Sequence, residues 1–173
     1  MMKFDLIELM NGKKDKIEVH TVIEKGSLNF DGEDMKYLSP ISLNGSFRRK
    51  GEQFFFKAKY DTVLNFTCSR CLKEFPQEFH LELNETYSRN PESEEIRRIE
   101  GNSVDLYELI EESLFLNIPI QRLCKESCKG LCPSCGINLN ENTCKCNLNF
   151  EKEEEQEEVL DPRFAKLKSL LKW

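Results

Sequence analysis

Eight cysteines dominate the chemistry available to this chain of 173 residues, and every one belongs to a close pair. Six follow the spacing Cys124-x3-Cys128-x3-Cys132-x2-Cys135-x8-Cys144-x-Cys146, and two more form Cys68-x2-Cys71. Such pairs suit a metal: a tetrahedral zinc takes four thiolates at roughly 2.3 Å, and two ligands from one tight turn lower the cost of ordering them. Cys132-Pro133-Ser134-Cys135-Gly136 is the most specific piece. Pro133 presets the turn, and Gly136 accepts the positive φ that lets backbone N–H groups point at the sulfurs. Chain proximity groups Cys132, Cys135, Cys144 and Cys146 as one site. Cys68, Cys71, Cys124 and Cys128 remain as a second, which would tie a hairpin tip to the cysteine segment. The expectation is one or two structural Zn2+ ions, one if the second four stay free thiols. Iron also fits four sulfurs, but zinc is preferred for closed sites built from such turns. Lys125, Lys129 and Lys145 stand close enough in sequence to offset the surplus negative charge.

No catalytic set accompanies these ligands. His20 and His80 are the only histidines, and both fall in strand patterns. The chain has no phosphate-binding glycine loop and no serine elbow. A redox reading of Cys68-Ser69-Arg70-Cys71 requires a following helix to depress the thiolate pKa, whereas Leu72 to Phe75 leads into a strand. A zinc closed by four sulfurs has no position for water and is structural. The reading is a non-enzymatic protein without a small-molecule substrate.

The elements that must position the cysteines follow from periodicity. Phe54, Phe56, Ala58, Tyr60, Leu64 and Phe66 share one parity while Gln53, Lys57, Lys59, Asp61, Asn65 and Thr67 take the other, which predicts a half-buried strand. Residues 75–87 repeat the behaviour, with Phe75, Phe79, Leu81, Leu83 and Tyr87 inward, so an antiparallel hairpin with Cys68 and Cys71 at its tip is expected. Ile41, Leu43 and Phe47 alternate before a turn at Lys50-Gly51. Phe4 to Leu9 and Ile17 to Ile23 flank a second turn at Asn11-Gly12. From Ser103 onward Leu106, Leu109, Ile110, Leu114 and Phe115 recur at helical steps, and Pro119 stops the helix. Asp161-Pro162 starts a short amphipathic helix carrying Phe164, Leu167, Leu170, Leu171 and Trp173. The fold class is α+β in one domain over 1–173. Its parts are an antiparallel β unit with the Cys-x-x-Cys hairpin (1–101), a helix plus cysteine-rich metal segment (102–150), and an acidic linker with the C-terminal helix (151–173).

Lys and Arg number 25 against 31 Asp and Glu, a net charge of −6, so a whole-chain basic footprint for nucleic acid is missing. The charge is uneven: residues 1–60 hold 11 basic and 9 acidic residues, the remainder 14 and 22. Arg48-Arg49-Lys50, with Lys57 and Lys59 nearby, is the one dense basic spot and the candidate RNA contact. The longest apolar stretch, Leu114 to Ile120, is interrupted by Asn117 and Pro119, so no membrane span is expected, and a start without a signal-peptide pattern points to the cytoplasm.

Taken in order, these motifs resemble the YceD-like family, the large ribosomal RNA subunit accumulation proteins. The matching stretches are Cys68-Ser69-Arg70-Cys71-Leu72, VDLYELIEESLFLNIPIQRLC, CKGLCPSCGINLNENTCKC and DPRFAKLKSLL, which cover most of residues 60–172. The resemblance implies a cytoplasmic, non-enzymatic ribosome biogenesis factor needed for accumulation of large-subunit ribosomal RNA. Its direct partner would be a ribosomal protein, met by the acidic surface, or the rRNA precursor, met near Arg48. The alternatives are a zinc-stabilised protein-interaction module outside ribosome assembly and an RNA-processing enzyme.

Overall fold

The computed structural model describes residues 2–146, so the expected acidic linker and C-terminal helix lie outside the described residues. Compactness divides the chain into two units, Met1–Gly130 and a second beginning at Leu131, a boundary that falls within the stretch 102–150.

The first unit is built on a five-stranded sheet in the order β2-β5-β6-β7-β8. Its strands are β2 (Lys16–Ile23), β5 (Ile41–Lys50), β6 (Gln53–Thr67), β7 (Glu74–Ser88) and β8 (Arg97–Arg98). All neighbours are antiparallel except β7 and β8, which run parallel. β6 and β7 form the expected hairpin in unbroken register from Gln53↔Ser88 to Thr67↔Glu74. The alternation holds: Phe54, Phe56, Ala58, Tyr60, Leu64 and Phe66 are buried, as are Phe79, Leu83 and Tyr87. Ile41, Leu43 and Phe47 add a third buried row from β5. The Lys50-Gly51 turn forms as expected, with Gly51 at φ 65° between the paired Lys50 and Gln53. Gly45 is required for closeness instead: a Cβ there would collide with the Ala58 side chain and lie 2.5 Å from the Lys57 carbonyl oxygen on β6.

The helix α2 (Leu106–Asn117) covers the apolar face of the sheet, burying Leu106, Tyr107, Leu109, Ile110 and Leu114. Asp105 caps it by accepting from the Tyr107 amide at 3.0 Å, and it ends at Ile118, directly before Pro119. The Tyr60 hydroxyl donates to the Ile110 carbonyl at 3.4 Å, joining helix to sheet. A small hairpin of β3 (Ser27–Phe30) and β4 (Glu33–Lys36) contributes buried Leu28 and Met35.

Two expectations need correction. Phe4 to Leu9 is not one strand: β1 (Lys3–Asp5) pairs with β9 (Ser103–Asp105), and Ile7–Met10 is a single helical turn, α1. This segment buries Phe4 against Phe47, rings 5.6 Å apart, and a helical turn lets it bury Leu6 and Leu9 as well. Phe115, placed inward by helical spacing, is 38% exposed and instead meets Phe30, 5.6 Å between rings, at the edge of the core. The polar stretch before the helix also hides an element. Arg97 of β8 is held by Glu85 at 2.7 Å and by Glu112 of α2 at 2.5 Å, and Ile99 is buried behind it.

The basic run at the end of β5 is split by strand alternation. The Arg49 guanidinium turns back to donate to the Leu9 and Met10 carbonyls at 3.1 and 3.0 Å and to Gly51 at 3.0 Å, closing the C-terminal end of α1, while Arg48 and Lys50 stay exposed. Arg49→Ala should therefore lower the unfolding free energy by about 1.5–3 kcal/mol, the scale of hydrogen bonds from a charged donor. Arg48→Ala should change it by less than about 0.5 kcal/mol. Urea unfolding followed by circular dichroism checks both, and equal effects would deny Arg49 its structural part.

Candidate metal centre

The cysteines converge in two groups of four, Cys68 with Cys71, Cys124 and Cys128, and Cys132 with Cys135, Cys144 and Cys146. Within each group all sulfurs lie within 4.8 Å of one another. Four sulfurs bound at roughly 2.3 Å to one tetrahedral ion stand about 3.8 Å apart. The observed separations fit: 3.8 Å for Cys68 and Cys128, 3.6 Å for Cys71 and Cys124, and 3.5 Å for Cys132 and Cys144. The pairing is the one chain proximity suggests. The donor set is soft sulfur throughout, with no oxygen or imidazole in either group, which suits zinc or another thiophilic ion rather than a hard cation.

Each group is organised by one tight turn, and the two turns have the same backbone. In Cys132–Gly136 the Gly136 amide donates to the Cys132 carbonyl at 2.8 Å, and the Cys132 amide to the Ile137 carbonyl at 2.8 Å. In Cys68–Leu72 the Leu72 amide donates to the Cys68 carbonyl at 3.0 Å, and the Cys68 amide to the Lys73 carbonyl at 2.9 Å. The residue after the second cysteine is left-handed in both, Gly136 at φ 70° and Leu72 at φ 58°. Glycine accepts that conformation freely, whereas leucine is strained in it, and Leu72 does so while 65% exposed. The sequence signals the turn at Gly136; the matching Cys-x-x-Cys spacing is the only sign of it at Leu72.

This geometry aims donors at sulfur. Burial opposes ionisation of Cys68, but the backbone amides of Cys124, Cys71 and Arg70 bring its pKa down to about 6. The amides of Cys135 and Ser134 lower Cys132 to about 7, against burial. Both first cysteines are thus served from positions two and three residues on. Their partners move the other way. Burial and the adjacent sulfurs of Cys71, Cys128 and Cys68 raise Cys124 to about 12, while the Cys135 sulfur, then burial, raises Cys146 to about 12. Each group accepts one negative charge readily and resists the next, which is the electrostatic condition a divalent cation removes.

The first group also fastens chain segments far apart in sequence. The Ser69 amide donates to the Arg122 carbonyl at 2.8 Å, and the Arg70 guanidinium to the Cys128 carbonyl at 3.0 Å. Gly130, at φ 76°, comes so close that a Cβ would lie 3.0 Å from the Arg70 carbonyl oxygen. The remaining candidate residues lie elsewhere. Arg48 and Lys50 are exposed at the far end of the sheet from the hairpin tip, and Arg49 is occupied as described. His20 meets Asn44 at 2.9 Å and His80 meets Asp61 at 2.5 Å, both on exposed strand positions.

A mostly antiparallel β unit whose hairpin tip enters one four-cysteine group, followed by a second such group, defines a protein class organised around cysteine clusters. Its residues 56–171 match the family described as large ribosomal RNA subunit accumulation protein YceD, and the chain belongs to that family. Over 99% of its length it is 26% identical to 97% of the uncharacterized protein YlbN of Bacillus subtilis. Over 60% of its length it is 28% identical to 49% of an uncharacterized protein of Mycobacterium tuberculosis. No solved structure matches it. Among the described residues no helix is long and apolar enough to cross a membrane.

If both groups take a metal, titration with Co2+ should build thiolate-to-metal charge-transfer absorption up to two equivalents per chain, one for each group. Cys71→Ser should remove one equivalent and leave the other. Leu72→Gly should keep both equivalents and raise the stability of the first group, by up to about 1 kcal/mol, whereas the β-branched Leu72→Val should lower it. Opposite signs in chelator competition are the result expected; identical behaviour would mean that φ at Leu72 carries no strain.

Proposed function

We propose that this protein is a non-enzymatic, cytoplasmic ribosome biogenesis factor that supports accumulation of large-subunit ribosomal RNA by binding a ribosomal protein or the rRNA precursor. The observation that carries the reading is the family match, which runs through β6, β7, α2 and both cysteine groups. In this reading each group holds one structural Zn2+. Cys68, Cys71, Cys124 and Cys128 would fasten the hairpin tip to the chain that follows α2, and Cys132, Cys135, Cys144 and Cys146 would order the second unit. Zinc supplies cross-linking and charge neutralisation here. Four sulfurs complete a tetrahedron and leave no place for a reactive water, so the sites favour binding over catalysis. The acidic balance beyond residue 60 supports contact with a basic ribosomal protein, and the exposed cations near Arg48 support contact with RNA.

Two measurements test the reading. Protein purified without oxygen should carry two zinc ions per chain, one for each group, and Cys135→Ser should lose one of them together with the ordered structure of 131–146. Cells lacking the protein should accumulate less large-subunit than small-subunit ribosomal RNA, restored by the native chain and not by Cys135→Ser. Balanced subunit RNA in the deletion strain would overturn the proposed function, and a metal-free folded protein would overturn the zinc.

A further inference from the structure

We propose that the outward face of the sheet, at the end where β5 turns into β6, binds single-stranded RNA, with a base stacked on Phe55 and the neighbouring phosphates held by Arg48 and Lys57. The proposal deepens the ribosomal reading above and rests on it for the choice of RNA. Strand pairing sets Arg48 directly opposite Phe55 and Ser46 opposite Lys57, and these four residues line one open depression of about 230 Å³. Phe55 is a half-buried aromatic ring on a face whose other positions are chiefly polar, and the core side of the sheet is already filled. On β7 its partner is Thr86, and the partner of Lys57 is Asn84, so hydrogen-bonding groups border the ring on the second side.

Charge on this face changes along the strands. Arg48 and Lys57 lie toward the β5–β6 turn and Asp61 and Glu78 toward the cysteine tip, with Lys59 and Glu82 directly opposite each other between them and Lys16 beside Glu18 on β2. Part of the positive charge is already engaged, since Lys16 pairs with Glu18 and Lys59 with Glu82 at 2.6 Å. Among the described residues neither Arg48 nor Lys57 has a carboxylate within ion-pair distance. Uncommitted cations beside a half-buried aromatic ring that still meets solvent are what a single strand needs: the ring takes any base, and the cations follow the backbone. A basic protein partner would be drawn to the opposite, acidic end and would have no use for this combination. The sorted charge also accounts for how an acidic chain admits RNA, because the strand is accepted at one end and repelled from the other.

The test is fluorescence anisotropy of labelled oligouridylate and oligoadenylate with the full, metal-loaded chain between about 50 and 200 mM salt. The native protein should bind both, more weakly as salt rises. Phe55→Ala should weaken binding by about tenfold and Phe55→Tyr should retain it, since stacking needs only a π face. Arg48→Gln and Lys57→Gln should each flatten the slope of log affinity against log salt by about 0.7. Circular dichroism checks that each variant is folded. Should Phe55→Ala unfold, the two Gln variants, whose side chains lie outside the core, decide. No binding by the native chain, or native affinity in Phe55→Ala and both Gln variants, overturns the proposal, including the case where a basic ribosomal protein is captured instead. The two readings fail separately. A deletion strain short of large-subunit RNA whose protein ignores both oligonucleotides leaves the ribosomal function and removes this surface. Phe55-dependent binding with balanced subunit RNA keeps the surface and removes the function.

Discussion

Four sulfurs crowded within 4.8 Å of one another form the constraint on which the rest of this protein depends. Cys68 and Cys71 sit at the tip of the longest hairpin, and Cys124 and Cys128 arrive from beyond α2, with 53 to 60 residues between the sulfurs that touch. Holding that loop closed costs chain entropy, and ionising several crowded thiols costs charge repulsion, both of which a bound cation would offset. The hairpin must be stiff for its tip to serve. Unbroken pairing from Gln53↔Ser88 to Thr67↔Glu74, with a buried row on β6 that is apolar apart from Thr62, supplies the stiffness.

The same turn is used twice with different tolerance. Gly136 takes its left-handed conformation without strain, while Leu72 takes it as a large apolar side chain exposed to solvent. The hydrogen bonds at both turns are alike, so the backbone around each sulfur group is set by the sulfurs and their donors, with the fifth residue adapting to it. The left-handed turn also directs amides toward the first cysteine, which explains why Cys68 and Cys132 ionise more easily than their neighbours.

Net acidity describes this chain poorly because strand pairing regroups its charges. Alternation along β5 sends Arg49 inward to the carbonyls of α1 and leaves Arg48 outward, and the register of β6 then brings Phe55 and Lys57 beside it. A basic tripeptide in sequence becomes one structural arginine and one element of a different surface. Family membership gives that surface its context, since the chain belongs with the large ribosomal RNA subunit accumulation proteins.

Strand periodicity from residue 52 to 87, the helix after Ser103 and the division of eight cysteines into two groups of four were legible in the sequence, because each depends on local spacing: alternation for a pleated sheet, three- and four-residue steps for a helix, and short intervals for ligands from one turn. What required the tertiary structure was everything decided by pairing between distant segments. β1 finds β9 across nearly the whole first unit, β8 becomes a strand only because β7, Glu85 and Glu112 receive Arg97, and Phe115 turns to Phe30 rather than to the core. Arg49 leaves the basic surface for the carbonyls of α1 for the same reason. Sequence spacing sets which side of a strand a residue occupies, but only the register with its neighbours sets what stands opposite it, and both charge and stacking act through that neighbour.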